Sequence, residues 1–222
     1  MADIHGLPGE WARVKGMVLG LWPLFIAFTV AGFSLAVWLL VAPGTGAILF
    51  ALSLAAVYCL LLKGMRRVER FFKGARGEEK VSAALRNLPS GYHVFNDYVA
   101  EGKHIDHVVV GPSGVFSVET KCWAGELSIE EGQILINGRL PSRLPVPQAL
   151  REAGYVKAAL ERLGWTGKVI PVLAFASDNF RSHALELNGT LVLNSSELTS
   201  TIASATAILP ETEVRRLVGI ME

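Results

Sequence analysis

Residues 105–121 read IDHVVVGPSGVFSVETK. Two apolar runs flank Pro112-Ser113-Gly114, where Pro pre-sets its backbone angle and Gly accepts a positive one, so the segment predicts a β-hairpin. Successive strand side chains alternate faces. Glu119 and Lys121, two apart, therefore share one side, while Val118 and Thr120 take the other. The reversal can bring Asp106, near the start of the first strand, back beside Glu119. Two carboxylates and an ammonium at the polar end of an apolar hairpin are the groups that a hydrolytic metal site on phosphodiesters requires. The carboxylates hold a hard cation through oxygen, and the lysine orients water or offsets charge on the phosphorane.

Each of these residues also has an ordinary role. Asp106 can cap a strand, and Glu119 with Lys121 can be a same-face ion pair at a sheet edge, worth about 0.2–1 kcal/mol. The surrounding Val, Ile and Phe argue for burial, however, and buried strands rarely carry charge without a reason.

Further out, Val81, Ala84, Leu85 and Leu88 follow a helical period from Gly77, and Pro89-Ser90-Gly91 ends it. Residues 92–99 alternate as a strand. Downstream, residues 126–129 and 133–136 read as short strands around Glu130-Glu131-Gly132, and residues 148–163 as a helix behind a proline-bearing loop. Residues 169–175 predict a strand buried on both sides and residues 190–193 another, with short helices over 197–203 and from Pro210 to Met221. Strands and helices alternating over residues 77–222 predict a mixed α/β domain large enough for its own core.

The remainder of the chain has a different composition. Apolar residues make up 51% of the sequence against 18% charged, and residues 16–62 contain no charged residue. That run is long enough for two transmembrane helices, at about 17–41 and 47–62, with Pro43-Gly44-Thr45-Gly46 as the reversal and Trp22, Trp38 and Tyr58 as interfacial anchors. It is too long for a cleaved signal peptide, and a helical hairpin apolar on every face leaves no side for water. Lys63, Arg66, Arg67, Arg70, Lys73 and Arg76 follow the second span and Arg13 and Lys15 precede the first, while the loop between carries no charge. The positive-inside rule then places both termini and the α/β domain in the cytoplasm of a two-span protein of the cell membrane. The basic run is read as this topology signal and as a contact to anionic lipid of the bilayer; a role on nucleic-acid phosphates is the second reading. The expected organisation is a short cytoplasmic N-terminus (1–16), two spans (17–62), a basic juxtamembrane linker (63–76) and the α/β domain (77–222).

Asp106, then Glu119-Thr120-Lys121, with Ile105-Asp106-His107 before and Trp123-x-Gly125 after, resembles the NERD (nuclease-related) domain, a branch of the restriction-endonuclease-like PD-(D/E)XK superfamily. The resemblance begins at Gly74-Ala75-Arg76-Gly77-Glu78 and continues to Pro147-Gln148, with Cys122 standing where a polar residue is expected. It implies a mixed sheet flanked by helices and cleavage of nucleic acid that depends on Mg²⁺ or Mn²⁺. Asp106 and Glu119 would then be metal ligands, joined by the Thr120 carbonyl. Lys121 would position the attacking water, Glu78 on the first helix would assist, and Gln148 would lie near the substrate phosphate. DNA is the expected nucleic acid, and a homodimer is a possible arrangement because many such nucleases cut two strands as dimers. The alternative is a catalytically silent domain of the same fold that binds nucleic acid or a protein partner at the membrane.

Other chemistries find no support. Net charge near +1 gives no global sign of nucleic-acid affinity, so any basic footprint is local. Cys59 and Cys122 belong to no zinc or disulfide pattern, and there is no phosphate-binding glycine loop and no G-x-S-x-G elbow. His104 and His107 flank Asp106 but are left outside the expected site, and Asp97 is an extra carboxylate at a strand end.

Overall fold

The computed structural model describes residues 1–177, 179–180 and 183–222. In chain order the elements are β1 (Asp3–His5), α1 (Glu10–Leu40), α2 (Pro43–Leu85), β2 (His93–Ala100), β3 (Lys103–Gly111), β4 (Gly114–Lys121), β5 (Leu127–Glu130) and β6 (Gln133–Ile136). They continue with α3 (Pro145–Arg162), β7 (Val169–Phe175), β8 (Leu185–Leu187), β9 (Thr190–Asn194), α4 (Ser195–Ser204) and α5 (Glu211–Met221). The chain divides into a helical unit, Trp11–Lys73, and a globular unit formed by Met1–Glu10 with Gly74–Glu222.

The globular unit is built on a seven-stranded mixed sheet in the order β1-β2-β3-β4-β7-β9-β8. β2, β3 and β4 form an antiparallel meander, and β7 and β9 continue it in parallel with β4. The hairpin expected at residues 105–121 closes through the pair Gly111–Gly114, with Gly114 at φ 127°. Gly111 is required by proximity: a Cβ there would lie 2.1 Å from the Tyr92 ring.

Strand alternation sorts the core into two layers. Val109, Phe116, Val118, Val172 and Leu193 face one side, against Val81 and Leu85 of α2, Leu88 in the turn after it, and Leu198 and Ile202 of α4. Val108, Val110 and Val115 face the other, against Val156 and Leu160 of α3 and Leu217 and Met221 of α5. Each layer buries fully apolar side chains at roughly 1.5–3 kcal/mol apiece, enough to fix the register of the charged residues that share these strands.

In the helical unit, α1 and the part of α2 up to Lys73 meet through small residues. A Cβ on Gly64 would lie 2.4 Å from the Gly20 carbonyl oxygen, and Gly16 lies against Phe71. Such residues let helix backbones approach closely. Phe25, Phe33 and Leu40 are 75%, 72% and 82% exposed. Both helices are long and apolar enough to cross a membrane.

The structure moves three boundaries. The first apolar helix starts at Glu10 rather than Met17, because Glu10 to Lys15 hold no helix breaker and the Lys15 ammonium lies 3.8 Å over the Trp11 ring. The expected linker 63–76 lies inside α2, which joins the second apolar helix to the helix read from Gly77. No proline interrupts residues 44–85, and isolated glycines lower helix stability by only about 1 kcal/mol each. Finally, Asp3–His5 of the N-terminal segment is an edge strand parallel to β2, too short for a periodicity to show it.

Candidate active site

The β3–β4 ladder runs from Gly111–Gly114 to His107–Val118 and ends there. One step further in the same register lie Asp106 and Glu119. Asp106 Oδ2 instead accepts the Thr120 backbone N–H at 2.8 Å, so a side chain takes over where the backbone pairing stops. β4 remains paired with β7 out to Lys121–Phe175, which holds Glu119 and Lys121 in place. Because Val115, Ser117, Glu119 and Lys121 alternate together, the two charged side chains point toward the α3 layer, as the strand period requires.

α3 answers with Gln148 and Glu152, one turn apart on the same helix face. Gln148 Nε2 donates to Glu119 Oε1 at 2.8 Å and to Glu152 Oε1 at 2.9 Å. The Lys121 ammonium donates to Gln148 Oε1 at 3.1 Å and forms an ion pair with Glu119. Glu119 is only 3% exposed.

The electrostatics follow from crowding. Burial, then the charges of Glu119, Glu78 and Glu152, push the Asp106 carboxyl well above the usual carboxylate range. Burial raises Glu78 to about 7, helped by Asp97 and Glu119 and opposed by a hydrogen bond from the Gly9 N–H. Glu152 is pushed up to about 9, by burial first and then by its hydrogen bond to Glu119 and that residue's charge. For Lys121, burial disfavours the ammonium, but Glu119, Asp106 and Glu152 outweigh it and the net shift is upward. The lysine therefore stays charged at neutral pH.

Asp106, Glu119, Lys121 and Gln148 are thus brought together as the sequence led us to expect. Glu78 joins them through its field rather than through a hydrogen bond to any of them. Glu152 was missed; the only sequence signal was its four-residue spacing from Gln148 in QALRE. Asp97 stands opposite Asp106 in the β2–β3 register, has φ 51° and is bonded to His104 at 2.9 Å. His107 points the other way: its Nδ1–H donates to Asn96 Oδ1 at 2.7 Å, and burial depresses its pKa to about 3.

Beyond Lys121, a cleft of about 280 Å³ opens between the end of β4, the β6 strand and the loop before α3. Trp123, Ile136, Pro141 and Arg143 line it together with Lys121 and Gln148.

The site is thus a set of carboxylates and one lysine where a sheet hairpin opens in a mixed α/β domain. Residues 73–176 match the family model of the nuclease-related domain, NERD. Glu78, Asp106, Glu119, Lys121, Gln148 and Glu152 all fall within that match. No curated protein and no solved structure matches the chain.

Proposed function

We propose that this is a membrane-anchored nuclease-like protein that hydrolyses phosphodiester bonds of nucleic acid on the cytoplasmic side, with Mg²⁺ or Mn²⁺ held by Asp106 and Glu119. The carrying observation is the charge balance: Glu78, Asp106, Glu119 and Glu152 act on one another through their fields, and Lys121 is the cation set among them. Crowded carboxyl oxygens are hard donors, and a hard divalent cation would relieve the repulsion that keeps them protonated. Among the described residues no three such groups already converge as a ligand set. Asp106 Oδ2 serves Thr120 and Glu119 Oε1 serves Lys121 and Gln148, so the remaining carboxylate oxygens and the Thr120 carbonyl are the donors on offer.

When bound, the cation supplies Lewis-acid stabilisation of charge on the phosphate. Lys121 keeps its proton, faces the cleft and holds water or a phosphate oxygen in place. Gln148 fixes the Glu119 carboxylate and contacts substrate. Glu78, with its pKa near 7, takes or returns a proton at neutral pH. The exposed apolar helices and the flanking basic residues support two spans with the globular unit cytoplasmic.

The test uses the full chain in detergent micelles with labelled single- and double-stranded DNA and RNA, in Mg²⁺, Mn²⁺ or chelator. Cleavage that needs metal and is lost in Lys121→Ala is the expected result; a fully active Lys121→Ala protein would refute the assignment. The direct Lys121–Glu119 pair favours a second reading, a silent binding module, which predicts oligonucleotide or protein binding with no metal dependence.

A further inference from the structure

We infer that the cleft beside Lys121 is a base pocket in which Trp123 stacks an unpaired nucleobase, so that the protein acts on single-stranded rather than duplex nucleic acid. This rests on the proposed action on nucleic acid and specifies its substrate. Lys121 and Gln148 line both the carboxylate site and the cleft, so a phosphate at one leaves a neighbouring base at the other. Trp123 lies two residues past Lys121, at most about 7 Å of chain, within the reach of one nucleotide.

The Trp123 ring is half-buried and held by Phe175, ring centroids 5.9 Å apart and tilted by 54°, and it also faces the cleft. Its backbone is fixed as well, since the Asn179 side-chain amide donates to the Trp123 carbonyl at 3.1 Å. A rigid aromatic wall, apolar Ile136 and Pro141, and the exposed guanidinium of Arg143 provide one stacking face and one phosphate contact. At about 280 Å³ the cleft lies at the small end of ligand pockets and suits one base rather than the end of a duplex.

Two observations speak against duplex. A paired base hides its faces in the stack and cannot offer one to Trp123. Duplex binding also draws on neutralising many phosphates, yet residues 1–10 and 74–222 contain 19 acidic against 14 basic side chains. Stacking does not depend on that charge balance.

The experiment measures fluorescence anisotropy of labelled 12-nucleotide single-stranded DNA, single-stranded RNA and a 12-base-pair duplex with the full chain in micelles and chelator. Wild type should prefer the single strands. Trp123→Ala should weaken single-strand binding by about 5- to 150-fold without altering duplex binding, and Trp123→Phe should restore most of the loss. The Phe variant and thermal melting guard against a misfolded Ala variant. Equal binding by wild type and both folded variants, a preference for duplex, or no oligonucleotide binding overturns the pocket. Cleavage in Mg²⁺ is scored separately: metal-dependent cutting with Trp123-independent binding removes the pocket and spares the nuclease, and Trp123-dependent binding without cutting does the reverse.

Discussion

Replacing Glu152 by Gln should stabilise the protein. Glu152 is half-buried on α3, accepts from Gln148 and shares a hydrogen bond with Glu119. In the unfolded chain its carboxyl loses its proton near 4.5, whereas in the fold it holds it to about 9. Between these values folding must take up a proton, so stability falls as pH rises through the window. At 1.36 kcal/mol per pH step, the cost at pH 7 is roughly 3 kcal/mol. Gln has the same shape, carries no charge, and its amide can donate to Glu119 as the protonated acid does. The gain should be about 3 kcal/mol at pH 7, or roughly 6–12 °C in Tm, should grow up to about pH 9, and should vanish toward pH 4.5. Thermal melts of the full chain in micelles at several pH values, followed by near-ultraviolet circular dichroism, measure it. A destabilised variant, or a gain independent of pH, would show that Glu152 is not held protonated by its surroundings.

Other consequences follow from the same geometry. Mn²⁺ should raise the Tm of the wild type but not of Asp106→Asn, which should itself melt higher than wild type without metal because one crowded charge is gone; calorimetry with and without chelator checks both. His107 stays neutral down to about pH 3 in the fold but titrates near 6.5 when unfolded, so the stability it contributes is lost on acidification below 6.5. His107→Leu should therefore cost stability at pH 7, leaving Asn96 Oδ1 without its donor, and that cost should shrink by roughly 3 kcal/mol by pH 4.5 in urea titrations. In the helical unit Gly64→Leu should force α1 and α2 apart, because its first side-chain carbon would meet the Gly20 carbonyl at 2.4 Å, whereas Gly32, with nothing within 4 Å, should tolerate Leu. Disulfide cross-linking between cysteines at positions 27 and 57, which share a packed cluster, should fail in the first variant and persist in the second.

Local pattern was enough wherever side-chain period and turn chemistry act over a few residues. The 105–121 hairpin, the strand at 169–175, and the two long apolar helices were legible for that reason, and so were the charged faces of Glu119 and Lys121. Helix ends in α2 were not, because a run of good helix formers gives no stop signal where a long apolar helix runs straight into a helix of the globular unit. The edge strand Asp3–His5 takes its structure from β2, a partner some ninety residues away in sequence.

By itself the sequence singled out the candidate residues, acid, acid and lysine on two adjacent strands, and set an apolar helical hairpin apart from a mixed α/β domain. Only the tertiary structure decided their protonation and company. The end of the β3–β4 ladder at His107–Val118, the arrival of Gln148 and Glu152 from α3, and the burial that drives Glu78 and Glu152 upward all come from packing elements distant in the chain. Desolvation and charge–charge repulsion depend on distances through space, and spacing along the chain does not encode them.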